Sequence, residues 1–349
     1  MIRTNLKVFA SVGLIITSLV IIVISYVFAQ INESILKATK NGDHINIKRL
    51  TQSQYYKNAR LIFNSVSASK PSSYFATISG EAELFLLDNN TSKWVPLKSF
   101  PSVERPLNNV VFIDNQTGFV IGNGGNISKT VDGGKTWNQC SKFTNLNLKK
   151  IIFANSQVGY LTGELARVKK SGNISYTHEI YKTNDGGNTW KKVYSKINAD
   201  FTLYDFSLKS TNEIATIIGK TLLFTIDGGK TWKNVVLPDF AAAITFSRDG
   251  IGWIFQMNGE TLRSNDGGTT WQKENIANAQ KAKCKWTSAR IGSDGHGLAV
   301  SEEGCVAFTR DGNKWTLLND RLQDCLTYIF VGDKESIIVG YEAIYLVEF

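Results

Sequence analysis

The sequence predicts an all-β fold, a seven-bladed β-propeller preceded by an N-terminal transmembrane helix. Three observations predict it. The octapeptide "TVDGGKTW" at 130–137 recurs as "TNDGGNTW" at 183–190, "TIDGGKTW" at 225–232, "SNDGGTTW" at 264–271 and, shortened, "TRDGNKW" at 309–315. The aspartates of these boxes stand 53, 42, 39 and 45 residues apart, and self-similarity at a period of roughly 20–50 residues marks a repeat architecture. Short strand signals separated by turn residues lead into each box, as in "NNVVFIDNQTGFVIGNGGNISKT".

At the N-terminus, residues 8–29 carry no charge over 22 residues. As a helix they would span roughly 33 Å, the thickness of a hydrocarbon core. Arg3 and Lys7 precede them, so the N-terminus is expected in the cytoplasm and the remainder outside. The segment reads as an uncleaved anchor. A cleavable signal peptide, with "VFA" before Gln30, is the competing reading and would leave a secreted protein. The domains are therefore 1–29, anchor or signal segment; 30–59, juxtamembrane linker; and 60–349, propeller.

From residue 60 onward, first strands are marked at "LIFNSV", "VVFIDN", "IIFANS", "YDFSLK", "ITFSRD", "SARIGS" and "YIFVGD". Each unit parses into four strands, with the box between the third and the fourth. A four-stranded antiparallel unit of about 40–45 residues is a propeller blade. A decayed box, "LDNNTSKW", places Asp88 and Trp94 one unit before the first clear copy. The last unit has only three strands, so a fourth is expected from the segment ahead of residue 60, leaving no free edge.

The boxes read as a folding device. Asp132, Asp185, Asp227, Asp266 and Asp311 would accept hydrogen bonds from the backbone that follows them. Gly134, Gly187, Gly229 and Gly268 supply positive φ. Thr136, Thr189, Thr231 and Thr270 tie back across the turn. Trp137, Trp190, Trp232, Trp271 and Trp315 start the outer strand and bury a large ring. A catalytic residue is not needed five times, and the boxes lack the alternating oxygens of a calcium loop. No cofactor and no metal are expected. Cys140, Cys284, Cys305 and Cys325 allow three complete pairings, and a disulfide among the last three is plausible. Net charge is +9, mildly basic, without a Lys/Arg run interleaved with aromatics, so nucleic acid is not an expected partner.

The "DGGKTW" units resemble the Asp-box, or BNR, repeats of sialidases, sortilin-type receptors and the Ycf48-like family of photosystem II assembly and stability factors. The resemblance is closest to the last, over about residues 60–349, with "KWVPLKSFPSVERPLNNVVFIDNQTGFVIGNGGNISKTVDGGKTW" at 93–137 following that family's blade pattern almost throughout. It implies a propeller outside the cytoplasm that helps to assemble or stabilise membrane protein complexes, with a protein partner such as a membrane complex subunit. The anchor departs from a lipidated type, because no cysteine lies near it.

A sialidase-like hydrolase is the enzymatic alternative, and a glycan- or peptide-binding receptor a third. The hydrolase would need an arginine triad and a Tyr–Glu pair. Arg105, Arg290 and Arg321 read better as solvated rim charges, and Tyr341 and Glu342, being neighbours, would point to opposite faces of a strand. Partner binding is expected on the face opposite the boxes. There the longest insertion carries Arg167, Lys169 and Lys170, and the connections between blades carry Lys149 and Lys150, and Lys281, Lys283 and Lys285.

Overall fold

The computed structural model describes residues 45–349 together with 36–37, apart from positions 52–54, 57–58, 61, 71–72, 89, 92, 144, 200, 333–334 and 342. The anchor predicted at 8–29 lies outside the described residues. Among the described residues no helix is long and apolar enough to cross a membrane.

Seven antiparallel sheets form the seven blades. Blade 1 runs from Phe63–Lys70 through Ser73–Ile78 and Leu84–Asp88 to Lys93–Pro96. Blades 2 to 6 repeat this order, with first strands Leu107–Phe112, Asn147–Phe153, Leu203–Leu208, Ala241–Phe246 and Trp286–Ile291. Blade 7 takes three strands from the C-terminus, Leu326–Val331, Ser336–Gly340 and Ile344–Glu348. Its outer strand is Asn46–Thr51, paired antiparallel from Asn46↔Glu348 to Thr51↔Ile344. The closing strand thus comes from within the stretch 30–59, and Leu36–Lys37 adds a short fifth strand outside it.

First strands alternate apolar and small polar side chains because each must pack on its own blade and still satisfy its neighbour. An innermost strand has backbone N–H groups that no fifth strand can bond. Side chains of the preceding blade accept them. Val110 N donates to Ser65 Oγ, Ile151 N to Asn109 Oδ1, Ile244 N to Asp205 Oδ2 and Ile291 N to Thr245 Oγ1, at 2.9–3.3 Å. The core lies between consecutive sheets as a series of clusters, each mixing residues from adjacent blades.

The Asp-Gly-Gly turns connect third to fourth strands, and four share one hydrogen-bond pattern. In blade 2, Thr130 Oγ1 donates to Asp132 Oδ1 at 2.8 Å and accepts from Gly134 N at 2.9 Å. Asp132 also accepts from Thr136 N and Thr136 Oγ1 at 3.0 and 2.6 Å. Asp185, Asp227 and Asp266 do the same with Thr189, Thr231 and Thr270. Asp311, in the shortened copy, accepts from Asn313 N and Lys314 N. In the decayed copy, Asp88 still accepts from Asn90 N and Thr91 Oγ1. These hydrogen bonds favour the ionised form and hold Asp132, Asp185 and Asp266 at a pKa of about 2, the bond from the threonine hydroxyl acting most strongly.

The glycines serve packing as well as turn geometry. A Cβ on Gly134 would sit 2.4 Å from Phe75 of blade 1, and one on Gly187 2.7 Å from Phe119 of blade 2. Each turn therefore leans on the preceding blade. The tryptophans are not buried equally, contrary to the expectation of a fully buried ring in each box. Trp137 and Trp315 are 4% and 6% exposed, whereas Trp190, Trp232 and Trp271 are only partly buried. Trp137 meets Phe75, Phe100 and Phe112. Trp232 meets Tyr194 and spends its Nε1–H on Val193 O.

A disulfide joins Cys284, just ahead of blade 6, to Cys305 in the turn between that blade's second and third strands. Cys140 and Cys325 are not disulfide-bonded.

Candidate functional site at the channel mouth

First strands start on the face opposite the boxes, so their leading residues ring one mouth of the central channel. All seven blades contribute to a cavity of about 280 Å³ there. Asn64, Asn108, Asn109, Thr287, Thr327 and Tyr328 give it a polar wall, and Lys149, Lys150, Asp205 and Arg290 give it charge.

Asp205 is the centre of this arrangement. It stands in the first strand of blade 4, with its side chain 3% exposed. The Arg290 guanidinium grips it with two parallel bonds, Nη1 to Oδ2 at 2.9 Å and Nη2 to Oδ1 at 2.8 Å. Lys150 Nζ donates to Oδ1 at 2.5 Å. Two cations thus share one carboxylate, and the triad carries a net positive charge inside the ring.

The titration behaviour follows from that imbalance. Burial alone would raise Asp205, but Arg290 and Lys150 overcome it and hold the carboxyl at about 2. Burial, and then the charge of Arg290, draw Lys150 down to about 8 against the attraction of Asp205. Arg290 is raised: burial opposes its charge, but Asp205 more than compensates. Lys150 is therefore the group whose charge is least well compensated, and an incoming anion would stabilise it.

Beside the triad, Lys149 pairs with Glu164 at 2.8 Å. Glu164 also accepts from Thr202 Oγ1 at 2.7 Å, tying blade 3 to the strand that leads into blade 4. His178 is fully buried against the same carboxylate. Its Nε2 bonds Phe201 O at 2.7 Å, while Nδ1, 3.8 Å from Glu164, has no hydrogen-bond partner. Burial lowers its pKa.

Of the basic residues expected to bind partners, the mouth brings together only Lys149 and Lys150, and both are already in ion pairs. Lys281, Lys283 and Lys285 lie on the connection from blade 5 to blade 6, where Lys285 faces Glu303 at 3.6 Å. Arg167, Lys169 and Lys170 stand at the end of the hairpin between the second and third strands of blade 3. Sequence reasoning missed Asp205 and misplaced Arg290, which is a channel residue and not a solvated rim charge. The available signal was an ionisable residue inside a first strand otherwise made of apolar and small polar residues, in "LYDFSL" and "WTSARI". The three arginines of the hydrolase alternative are divided. Arg290 holds Asp205, Arg321 donates to Ala282 O, and Arg105 lines a separate cleft with Ser102, Glu104 and Gln139. Glu342 lies outside the described residues.

The family model described as sortilin, neurotensin receptor 3, matches residues 178–329. A photosystem II assembly lipoprotein Ycf48 from Synechococcus sp. (strain CC9902) is 28% identical over 156 residues. That match spans 43% of this chain and 43% of the relative, so the chain spans less than half the length of this curated relative. A structure of YCF48 bound to D1 peptide superposes with a TM-score of 0.62 at 15% identity, covering 89% of this chain and 99% of that one. YCF48 from Cyanidioschyzon merolae gives 0.61 at 17%, covering 87% and 98%. The WD40 propeller domain of Doa1 gives 0.58 at 12%, covering 88% and 98%, so the fold is shared well beyond one functional class. By its fold this chain is a seven-bladed β-propeller, and over 43% of its length its sequence is similar to that of a Ycf48.

Proposed function

We propose that the chain is a non-enzymatic scaffold, held outside the cytoplasm, that assists assembly or stability of a membrane protein complex by receiving an acidic segment of one subunit at the channel mouth. The observation that carries this reading is the triad Lys150–Asp205–Arg290, two cations on one carboxylate in a cavity open to solvent. Two further features support it. YCF48, which shares this fold, binds a D1 peptide in one of the solved structures. The boxes are spent on hydrogen bonds within their own turns, which leaves the opposite face for recognition. In this reading Lys149, Lys150 and Arg290 meet the carboxylate, and Lys281, Lys283 and Lys285 add long-range attraction from the rim. The apolar segment 8–29 holds the propeller at the membrane.

The test is binding of acidic peptides with a free C-terminus, and of the same peptides amidated, to the parent chain and to Lys150→Met. That substitution leaves Arg290 and Asp205 as a neutral pair, so the fold is retained. The expected result is a preference for the free carboxylate and an affinity at least about tenfold lower in the variant, the order of one charge-assisted hydrogen bond. Equal affinity of parent and variant would refute the site. Turnover of a fluorogenic sialoside would refute the non-enzymatic reading.

A further inference from the structure

The blade 3 hairpin is unlike the corresponding turn of any other described blade. The first strand of that blade pairs with the second only as far as Asn147↔Glu164. The second and third strands continue for four more pairs, Leu165↔Thr177 to Val168↔Ile174. At about 3.3 Å per residue the hairpin stands roughly 13 Å above the mouth face.

Its end is amphiphilic. Val168 and Ile174, a cross-strand pair on one face, are 75% and 50% exposed. Arg167 and Lys170 are exposed beside them, Lys169 lies between, and residues 165–177 contain no acidic side chain. Two aliphatic side chains at the outermost point, backed by cations, have no reason to be there for folding, since they cover nothing of the core.

We propose that this hairpin is a membrane contact: Val168 and Ile174 enter the interfacial layer of an anionic bilayer, and Arg167, Lys169 and Lys170 lie against its headgroups. The shape favours lipid over a protein partner. A specific protein interface needs about 800 Å² from each side and a complementary groove, which a narrow projecting tip does not offer. A bilayer needs only a convex apolar point with adjacent positive charge. The contact would turn the channel mouth toward the membrane surface. It does not depend on the scaffold reading, because the tip shares no residue with the Asp205 triad.

Amide hydrogen exchange across residues 166–176 of the full-length protein in vesicles tests it. The vesicles are phosphatidylcholine alone or with about 30% phosphatidylglycerol, and the outward-facing fraction is selected by protease accessibility. Exchange at the tip should slow by about 30-fold or more with the anionic lipid, the scale set by two or three cations near such a surface. Val168→Ser with Ile174→Ser, and separately Arg167→Glu with Lys170→Glu, should abolish the protection and leave the melting curve unchanged, since all four side chains are exposed. Equal exchange in the two lipids would overturn the proposal, as would full protection in either double variant. Protection by an acidic peptide without vesicles, and none by anionic vesicles, would assign the tip to a protein and overturn it equally.

Discussion

Replacing Asp205 by Asn would remove one negative charge and almost no volume. The Asn oxygen can still accept from Ile244 N, so the strap to blade 5 survives. Lys150 and Arg290 would then face each other with no counter-charge. At an effective dielectric constant near 20, each ion pair at about 4 Å contributes about 4 kcal/mol of attraction, offset by the desolvation that the carboxylate no longer suffers. Breaking a buried pair by deleting one partner costs about 3–5 kcal/mol, and that is the loss expected here. Urea titration measures it as a lower midpoint at unchanged slope. A pH series then distinguishes charge from shape. In the parent, folded Lys150 titrates near 8 while the unfolded side chain titrates near its ordinary value. The unfolded chain binds more protons between those values, so stability from this group rises with pH across that window. In Asp205→Asn the folded pKa falls further, so the gain begins at lower pH and is larger. Lys150→Met added to the variant should recover only the part of the loss that comes from repulsion between the two cations, since Arg290 stays without its counter-charge. A change below about 0.5 kcal/mol, the range of an ordinary surface substitution, would show that solvent already screens the triad and that the buried-charge reasoning fails.

Three other outcomes are expected. Trp137→Ala should cost about 3–5 kcal/mol, as large buried aromatics do, and Trp232→Ala clearly less because its ring is partly exposed; equal costs in denaturant melts would contradict the packing described. Reducing the Cys284–Cys305 bridge, whose ends are 21 positions apart, should lower stability by about 3 kcal/mol, readable as a shift in midpoint with and without reductant. The aspartates of the boxes have folded pKa values depressed below those of the unfolded chain, so their contribution is full above about pH 4 and is lost as pH falls toward 2. Thr136→Val, which removes the strongest of Asp132's hydrogen bonds, should move part of that acid transition to higher pH, and an unchanged acid midpoint would argue against it.

The blades were legible because their information is local. A turn that needs Asp, Gly and Thr at fixed spacing prints itself on the sequence each time it occurs, and alternation between turns marks the strands. The incomplete last unit even signalled that the chain must borrow a strand from ahead of residue 60. The channel mouth was not legible for the opposite reason. Lys150 and Asp205 are 55 residues apart, and Arg290 and Asp205 are 85 apart, brought together only by closing the ring. No local pattern distinguishes such a residue from a solvated one on the rim. The unequal burial of the tryptophans has a similar cause: a ring's cover depends in part on what the neighbouring blade offers, Phe75 to Trp137 and Tyr194 to Trp232. Among the disulfide pairings, only the geometry of blade 6 brings Cys284 to Cys305.

The strand Asn46–Thr51 has a consequence for biosynthesis. It leaves the ribosome roughly 300 residues ahead of its partner Ile344–Glu348. At about 5–20 residues per second, the first waits roughly 15–60 s for the second. During that time the edge that Ile344–Glu348 will cover is open, the state most apt to pair with the wrong neighbour. Blades 1 to 6, whose strands are consecutive, can form as they emerge, whereas blade 7 cannot. Thr327 and Tyr328 complete the mouth from that same late blade. A partner that recognises the closed mouth can therefore engage only finished chains, which makes closure of the ring a checkpoint between synthesis and use.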